Sequence, residues 1–118
     1  MVEAQSVEAY IRDMLSSLND ENIESIVLFG SAVNGCIREN SDLDFLIIVD
    51  SDYLPETFEE RMEYTSRIHR KVRHIAKKVP IDLLIYTKAE YNLLHQYNSD
   101  FICEINNTGK VIYERQRE

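Results

Sequence analysis

Asp42 and Asp44 open a strongly apolar run, Phe45-Leu46-Ile47-Ile48-Val49, and ten residues separate them from a Gly-Ser pair, Gly30-Ser31, that closes an earlier apolar run. Side chains two apart on a strand share a face. A strand over residues 42–49 therefore projects Asp42 and Asp44 together and turns Leu43 and Phe45 to the other side. Two neighbouring carboxylates at the mouth of a buried strand repel each other and are costly to desolvate. A divalent cation relieves both costs, and hard carboxylate oxygens suit Mg²⁺. Gly30 lets the backbone turn sharply and approach a ligand closely. Ser31 is placed to cap a short following helix, whose unpaired N–H groups attract phosphate. A third aspartate, Asp82, opens a further apolar run, Leu83-Leu84-Ile85.

The elements that must position these residues follow from periodicity. Val7, Tyr10, Ile11, Met14, Leu15 and Leu18 make one apolar stripe, so residues 6–18 form a helix with Ser6 as its N-cap. Asn19-Asp20-Glu21-Asn22 is turn chemistry. A strand at 25–29 leads into the Gly-Ser turn, a short helix near Ala32 and a polar loop over 35–41. The second strand, 42–49, is apolar almost throughout and is expected to be buried on both faces. Pro55 suits the first turn of a long helix running to about residue 78. That helix has glutamates at its start and Arg67, Arg70, Lys71, Arg73, Lys77 and Lys78 at its end, which complements the helix dipole. The basic end is either a solvated face or a patch that meets a phosphate tail or a partner. Glu63 and Arg67 have favourable four-residue spacing. His69 and His74 are five apart, which does not suit a one-face metal pair. Pro80 introduces a third strand over 81–86, as a first residue or on a sheet edge. Thr87-Lys88-Ala89-Glu90 reads as a capping box. One helix follows to about Tyr97 and another from Ser99-Asp100, with Gly109 as its C-cap. A strand at 110–113 closes the chain.

A long helix between the second and third strands favours a parallel crossover. Parallel neighbours bring their N-terminal ends together, so Asp42, Asp44 and Asp82 converge. An antiparallel pairing would put Asp82 on the order of 15 Å away, at ~3.3 Å per residue. The alternative for Asp82 is a strand-start aspartate that merely caps a turn.

Composition sets the remaining bounds. A chain of 118 residues, 44% apolar and 29% charged, is expected to form one domain over residues 1–118. No apolar run approaches the roughly 20 residues of a membrane span. The N-terminus lacks a basic segment followed by an apolar one, so a cytoplasmic location is expected. Cys36 and Cys103 then read as reduced thiols, with Cys36 as a nucleophile the alternative. A formal net charge of −8 opposes direct binding to nucleic acid and favours a basic partner surface.

The pattern Gly30-Ser31, ten residues, Asp42-Leu43-Asp44, with Asp82 in Pro80-Ile81-Asp82-Leu83-Leu84-Ile85 and the ending Gly109-Lys110-Val111-Ile112-Tyr113-Glu114, resembles the minimal nucleotidyltransferases of the DNA polymerase β superfamily. The resemblance spans nearly the whole chain. It implies an α/β (α+β) fold, a small mixed sheet flanked by helices. It also implies Mg²⁺ at Asp42, Asp44 and Asp82, ATP as substrate, and Gly30 and Ser31 on its phosphates. Many minimal members carry two arginines just after Gly-Ser. Here those positions are Ala32 and Asn34, with Gly35 kept, and Arg38 is the loop cation that would reach in instead. Minimal members are often antitoxins of a HEPN-domain ribonuclease toxin. The resemblance thus implies AMP transfer to a tyrosine of a HEPN partner encoded alongside. Two other readings stay open: modification of a small molecule of the aminoglycoside type, as in larger relatives that add a helical acceptor-binding domain, and a non-catalytic antitoxin that acts by binding alone.

Overall fold

The computed structural model describes residues 7–30, 33, 42–97 and 100–116. Ser6, Ser31, Ala32, Asn34, Gly35, Cys36 and Arg38 lie outside them. The apolar stripe of the first segment winds into α1 (Val7–Ser17), with Val7, Tyr10 and Met14 buried. The turn after it feeds β1 (Ile23–Phe29) and, further on, β2 (Leu43–Val49). β2 is buried on both faces, and only Asp44 within it is partly open. The strand sits inside a sheet of order β3-β2-β1-β4, where β3 is Ile81–Thr87 and β4 is Lys110–Glu114. β1 runs antiparallel to both β2 and β4, and β2 runs parallel to β3. The fold is therefore mixed α/β with a mixed four-stranded sheet, as the order of elements requires.

Alternation along the central strands divides the core. Leu43, Phe45 and Ile47 join Ile26, Leu28, Met14, Ile68, Val72 and Ile75 on one face. Leu46 and Ile48 join Val27 and Ile105 on the other. The first face is covered by α1, α2 (Phe58–Lys71) and α3 (Arg73–Ala76), the second by α4 (Lys88–Gln96) and α5 (Asp100–Thr108).

The long helix expected from Pro55 to residue 78 is instead two helices that meet at Val72, whose backbone leaves the helical region (φ −107°, ψ 9°). It also starts later. Thr57 is the N-cap, and its hydroxyl accepts from the Glu60 N–H at 3.1 Å. Thr57 satisfies an orphan donor at the helix start, which Pro55 cannot do. Arg67 pairs with Glu21 in the turn after α1, not with Glu63, and Lys71 holds both Asp20 and Glu21 at 2.7 Å. Part of the basic helix end is thus tied down as structure. His74 reaches Ser17 and His95 reaches the Tyr91 hydroxyl, while Cys103 is a free thiol. The capping box at the head of α4 is present in both halves: Thr87 Oγ1 accepts from Glu90 N, and Glu90 Oε1 accepts from Thr87 N, each at 3.0 Å. Among the described residues no helix is long and apolar enough to cross a membrane.

Gly109 closes α5, donating its N–H to the Ile105 carbonyl at 2.7 Å. A methyl group at this position would lie 2.5 Å from that carbonyl oxygen, 2.6 Å from Val27 Cγ1 and 3.1 Å from the Leu28 carbonyl oxygen. Two of the three obstacles are backbone and cannot rotate away. Gly109→Ala is expected to destabilise the protein by about 1–3 kcal/mol, the range for overpacking, seen as a lower urea midpoint with an unchanged slope.

Candidate active site

The parallel pairing sets Asp44 directly opposite Asp82, Leu43 opposite Ile81 and Phe45 opposite Leu83. Paired strands lie about 5 Å apart, so the two aspartates are cross-strand neighbours on one face. The register is held at its start by the Leu43 N–H, which donates to the Pro80 carbonyl at 2.9 Å. Asp42 precedes β2 and is exposed, as is Asp82 at the sheet's edge, whereas Asp44 is half-buried. Burial pushes the Asp44 carboxyl above its ordinary value, and the negative charges of Asp82 and Asp42 push it the same way. The three acids form one electrostatic cluster centred on Asp44.

β1 supplies the other side. Phe29, its last residue, is the antiparallel partner of Asp44. Gly30 follows with φ +78°, a conformation that side chains rarely adopt. A Cβ on Gly30 would lie 2.3 Å from Asp44 Oδ2, so the glycine backbone and the carboxylate occupy neighbouring space. The Gly30 backbone, Asp44 and Asp82 thus stand in a row across three strands. Ser31 and Arg38 lie outside the described residues.

Among the described residues no group of three or more His, Cys, Asp or Glu is placed so that it could hold a metal ion by itself. The donor set fits a different kind of site. Mg²⁺ is commonly held by one or two carboxylates plus substrate phosphates, with waters kept, in place of an all-protein cage. Three clustered carboxylates, one held partly out of water, suit a cation that arrives with a polyphosphate.

Residues not singled out from sequence also border this rim. A cavity of about 190 Å³ beside Gly30 is lined by Phe29, Phe101, Glu104, Ile105 and Thr108. The rings of Phe29 and Phe101 meet edge to face at 6.3 Å. On the helical pattern of α5 an aromatic at position 101 reads as core, and only the packing of α5 against β1 reveals it as half-exposed. A larger cavity of about 380 Å³, lined by Leu15, Ile23, Ile26 and Tyr113 among others, lies against α1 on the opposite face from Asp44.

Comparison with known proteins bears on the family and the fold. A family model described as "Polymerase beta, Nucleotidyltransferase" matches residues 11–118. Spectinomycin 9-adenylyltransferase of Staphylococcus aureus is 30% identical over 80 residues, 68% of this chain, and the chain spans 29% of that relative's length. Among solved structures, a chain of a toxin–antitoxin complex with AMP-PNP superposes with a TM-score of 0.54 at 22% identity, covering 90% of this chain and 74% of that one. A chain from a complex of tri-AMPylated Shewanella oneidensis HEPN toxin with MNT antitoxin superposes with a TM-score of 0.50 at 20% identity, covering 92% and 73%. At these identities the structural matches speak to the fold.

Proposed function

We propose that this chain, which belongs to the polymerase beta nucleotidyltransferase family, is a Mg²⁺-dependent enzyme that transfers AMP from ATP to a tyrosine hydroxyl of a HEPN ribonuclease toxin and so serves as its antitoxin. The observation that carries the reading is the in-register pairing of Asp44 with Asp82 beside the Gly30 turn. Three acids crowded at one rim are costly to keep without a cation and a substrate to use them.

Asp42, Asp44 and Asp82 would hold Mg²⁺, which when bound neutralises charge on the phosphates and on the leaving pyrophosphate. Gly30 and Ser31 are assigned to the phosphate tail on the likeness of the Gly-Ser pair to the family's motif. Asp82 stands on the strand that forms the sheet edge, where a hydroxyl from a second protein has access. It accepts the proton as the hydroxyl oxygen attacks the α-phosphorus in line and pyrophosphate leaves. Arg38 takes up the phosphate contacts that Ala32 and Asn34 do not provide. Arg38→Ala is expected to weaken ATP binding about ten-fold, consistent with loss of one charge-assisted contact. An unchanged affinity in a titration with Mg²⁺ and ATP would remove Arg38 from the site.

The choice of AMP and of a HEPN partner is supported by the AMP-PNP and AMPylated-toxin complexes whose chains share this fold. The net charge of −8 favours a basic partner surface. A second reading, adenylylation of an aminoglycoside-type small molecule, is favoured by the likeness to spectinomycin 9-adenylyltransferase. Mass spectrometry after incubation with ATP, Mg²⁺ and either the co-encoded HEPN protein or spectinomycin separates them. AMP added to the HEPN protein is the expected result. AMP added to the drug supports the second reading, and a stable complex with no added mass supports inhibition by binding alone.

A further inference from the structure

The cavity beside Gly30 has the composition of a subsite for a flat ring. Its volume, about 190 Å³, is below the ~300 Å³ at which pockets begin to take whole drug-sized ligands. It suits one ring system and not an entire nucleotide. One wall is Phe101, 52% exposed although it is a large apolar side chain on an otherwise amphipathic helix. The Phe29 ring meets Phe101 edge-on, with the two planes at 89°, and so braces it. Ile105, 2% exposed, makes an apolar floor. Glu104 and Thr108 form the polar margin. The Thr108 hydroxyl donates to the Glu104 carbonyl at 2.7 Å, which leaves its oxygen lone pairs free to accept.

The position of this cavity relative to the acids decides what ring it takes. Phe29 is the antiparallel partner of Asp44, and Asp82 is the parallel partner of Asp44 on the other side. The order across one face of the sheet is therefore Phe101, Phe29, Asp44, Asp82. If Asp82 serves the attacking hydroxyl, the acceptor lies on the β3 side, the pyrophosphate leaves toward the Gly30 turn, and the nucleoside, set across that axis, reaches the cavity under α5 on the same face as the acids.

We infer that Phe101, braced by Phe29, is the stacking platform for the nucleobase of the bound triphosphate. The inference rests on the nucleotidyl-transfer reading and adds to it the residue that holds the base. Every base has a π-face, so the platform gives affinity for nucleotides with little choice among bases. The exposed carboxylate of Glu104 and the free lone pairs of Thr108 Oγ1 accept hydrogen bonds from an exocyclic amine or a sugar hydroxyl at the margin.

Titrations of the full chain with ATP and with inorganic tripolyphosphate, both with Mg²⁺, test this. Phe101→Ala is expected to lose roughly ten- to hundred-fold in ATP affinity, the usual effect of removing a stacked aromatic. Tripolyphosphate affinity is expected to be unchanged, and Phe101→Tyr to retain ATP binding. The chain has no tryptophan. Phe101→Trp therefore places a single indole in the cavity, and its emission is expected to be quenched by ATP but not by tripolyphosphate. Wild-type ATP affinity in Phe101→Ala overturns the base platform and leaves the transfer reading standing. Equal weakening toward both ligands also overturns it, because Phe101 would then act only through the fold. Quenching by N-acetyltyrosinamide and not by ATP would assign the ring pocket to the acceptor. Absence of any ATP binding by the wild-type protein overturns both the platform and the transfer reading.

Discussion

Replacing Asp44 by asparagine is expected to reduce nucleotidyl transfer by more than about 10³-fold, beyond the 10²–10³-fold typical of losing one electrostatic stabiliser, while the metal-free protein stays folded. The two expectations have one cause. Burial and the charges of Asp82 and Asp42 make ionised Asp44 costly, and under the proposed mechanism a bound cation would relieve that cost. The sign of the pH effect follows. Its folded pKa is raised above the ordinary aspartate value of 3.8, so ionisation costs more in the folded protein than in the unfolded chain. Above the raised pKa that penalty is full, and it disappears as pH falls through the raised value toward 3.8. Asp44→Asn removes the penalty at neutral pH. The variant should therefore melt at a higher temperature than wild type at pH 7 without metal, and the difference should close on acidification. Added Mg²⁺ with ATP should raise the wild-type melting temperature only. A variant that transfers AMP normally would remove Asp44 from the chemistry.

Gly30→Ala is expected to be nearly as damaging to activity for a different reason. The left-handed backbone at φ +78° costs a side chain roughly 1–2 kcal/mol. The added methyl would lie 2.3 Å from Asp44 Oδ2 and 3.2 Å from its Cγ. Those atoms are the mobile end of a side chain, so the protein can relieve the clash by swinging the carboxylate away. The fold then survives with a modest loss of stability. The carboxylate, however, is displaced, and a misplacement of about 1 Å can cost on the order of 10²-fold in rate. Transfer should fall by about that factor or more. A variant that keeps full activity would show that the close approach of Gly30 to Asp44 has no catalytic weight.

Several of these features were legible in the chain before its structure. The long crossover between the second and third strands favoured a parallel pair, and Asp44 and Asp82 do stand in register. The Thr87–Glu90 capping box is local chemistry, written in residues three apart, whereas the need for glycine at 109 comes in part from Val27 and Leu28, far away in sequence. The break at Val72 was not legible. Val72 and Ile75 continue the apolar spacing of α2 across the break and are both buried, so the pattern reads as one helix. The start of α2 had a visible signal in Thr57 and Glu60, three apart, but Pro55 is also a favoured helix opener and competes with it. Phe101 lay beyond any local pattern, because its exposure depends on where α5 lands on β1. The basic end of the helix pair was ambiguous for a similar reason. Lys71 and Arg67 find Asp20 and Glu21 some fifty residues away, which no spacing rule announces.

The central claim is that the clustered acids catalyse a covalent change in a partner and do not merely serve a binding surface. The proposed HEPN partner should be treated with a sub-stoichiometric amount of this chain plus ATP and Mg²⁺, separated from it, weighed, and assayed for ribonuclease activity. The account predicts AMP added to most partner molecules and activity that stays lost after separation, because one enzyme molecule acts on many. Full recovery of activity with no added mass would contradict it and would leave inhibition by occupancy.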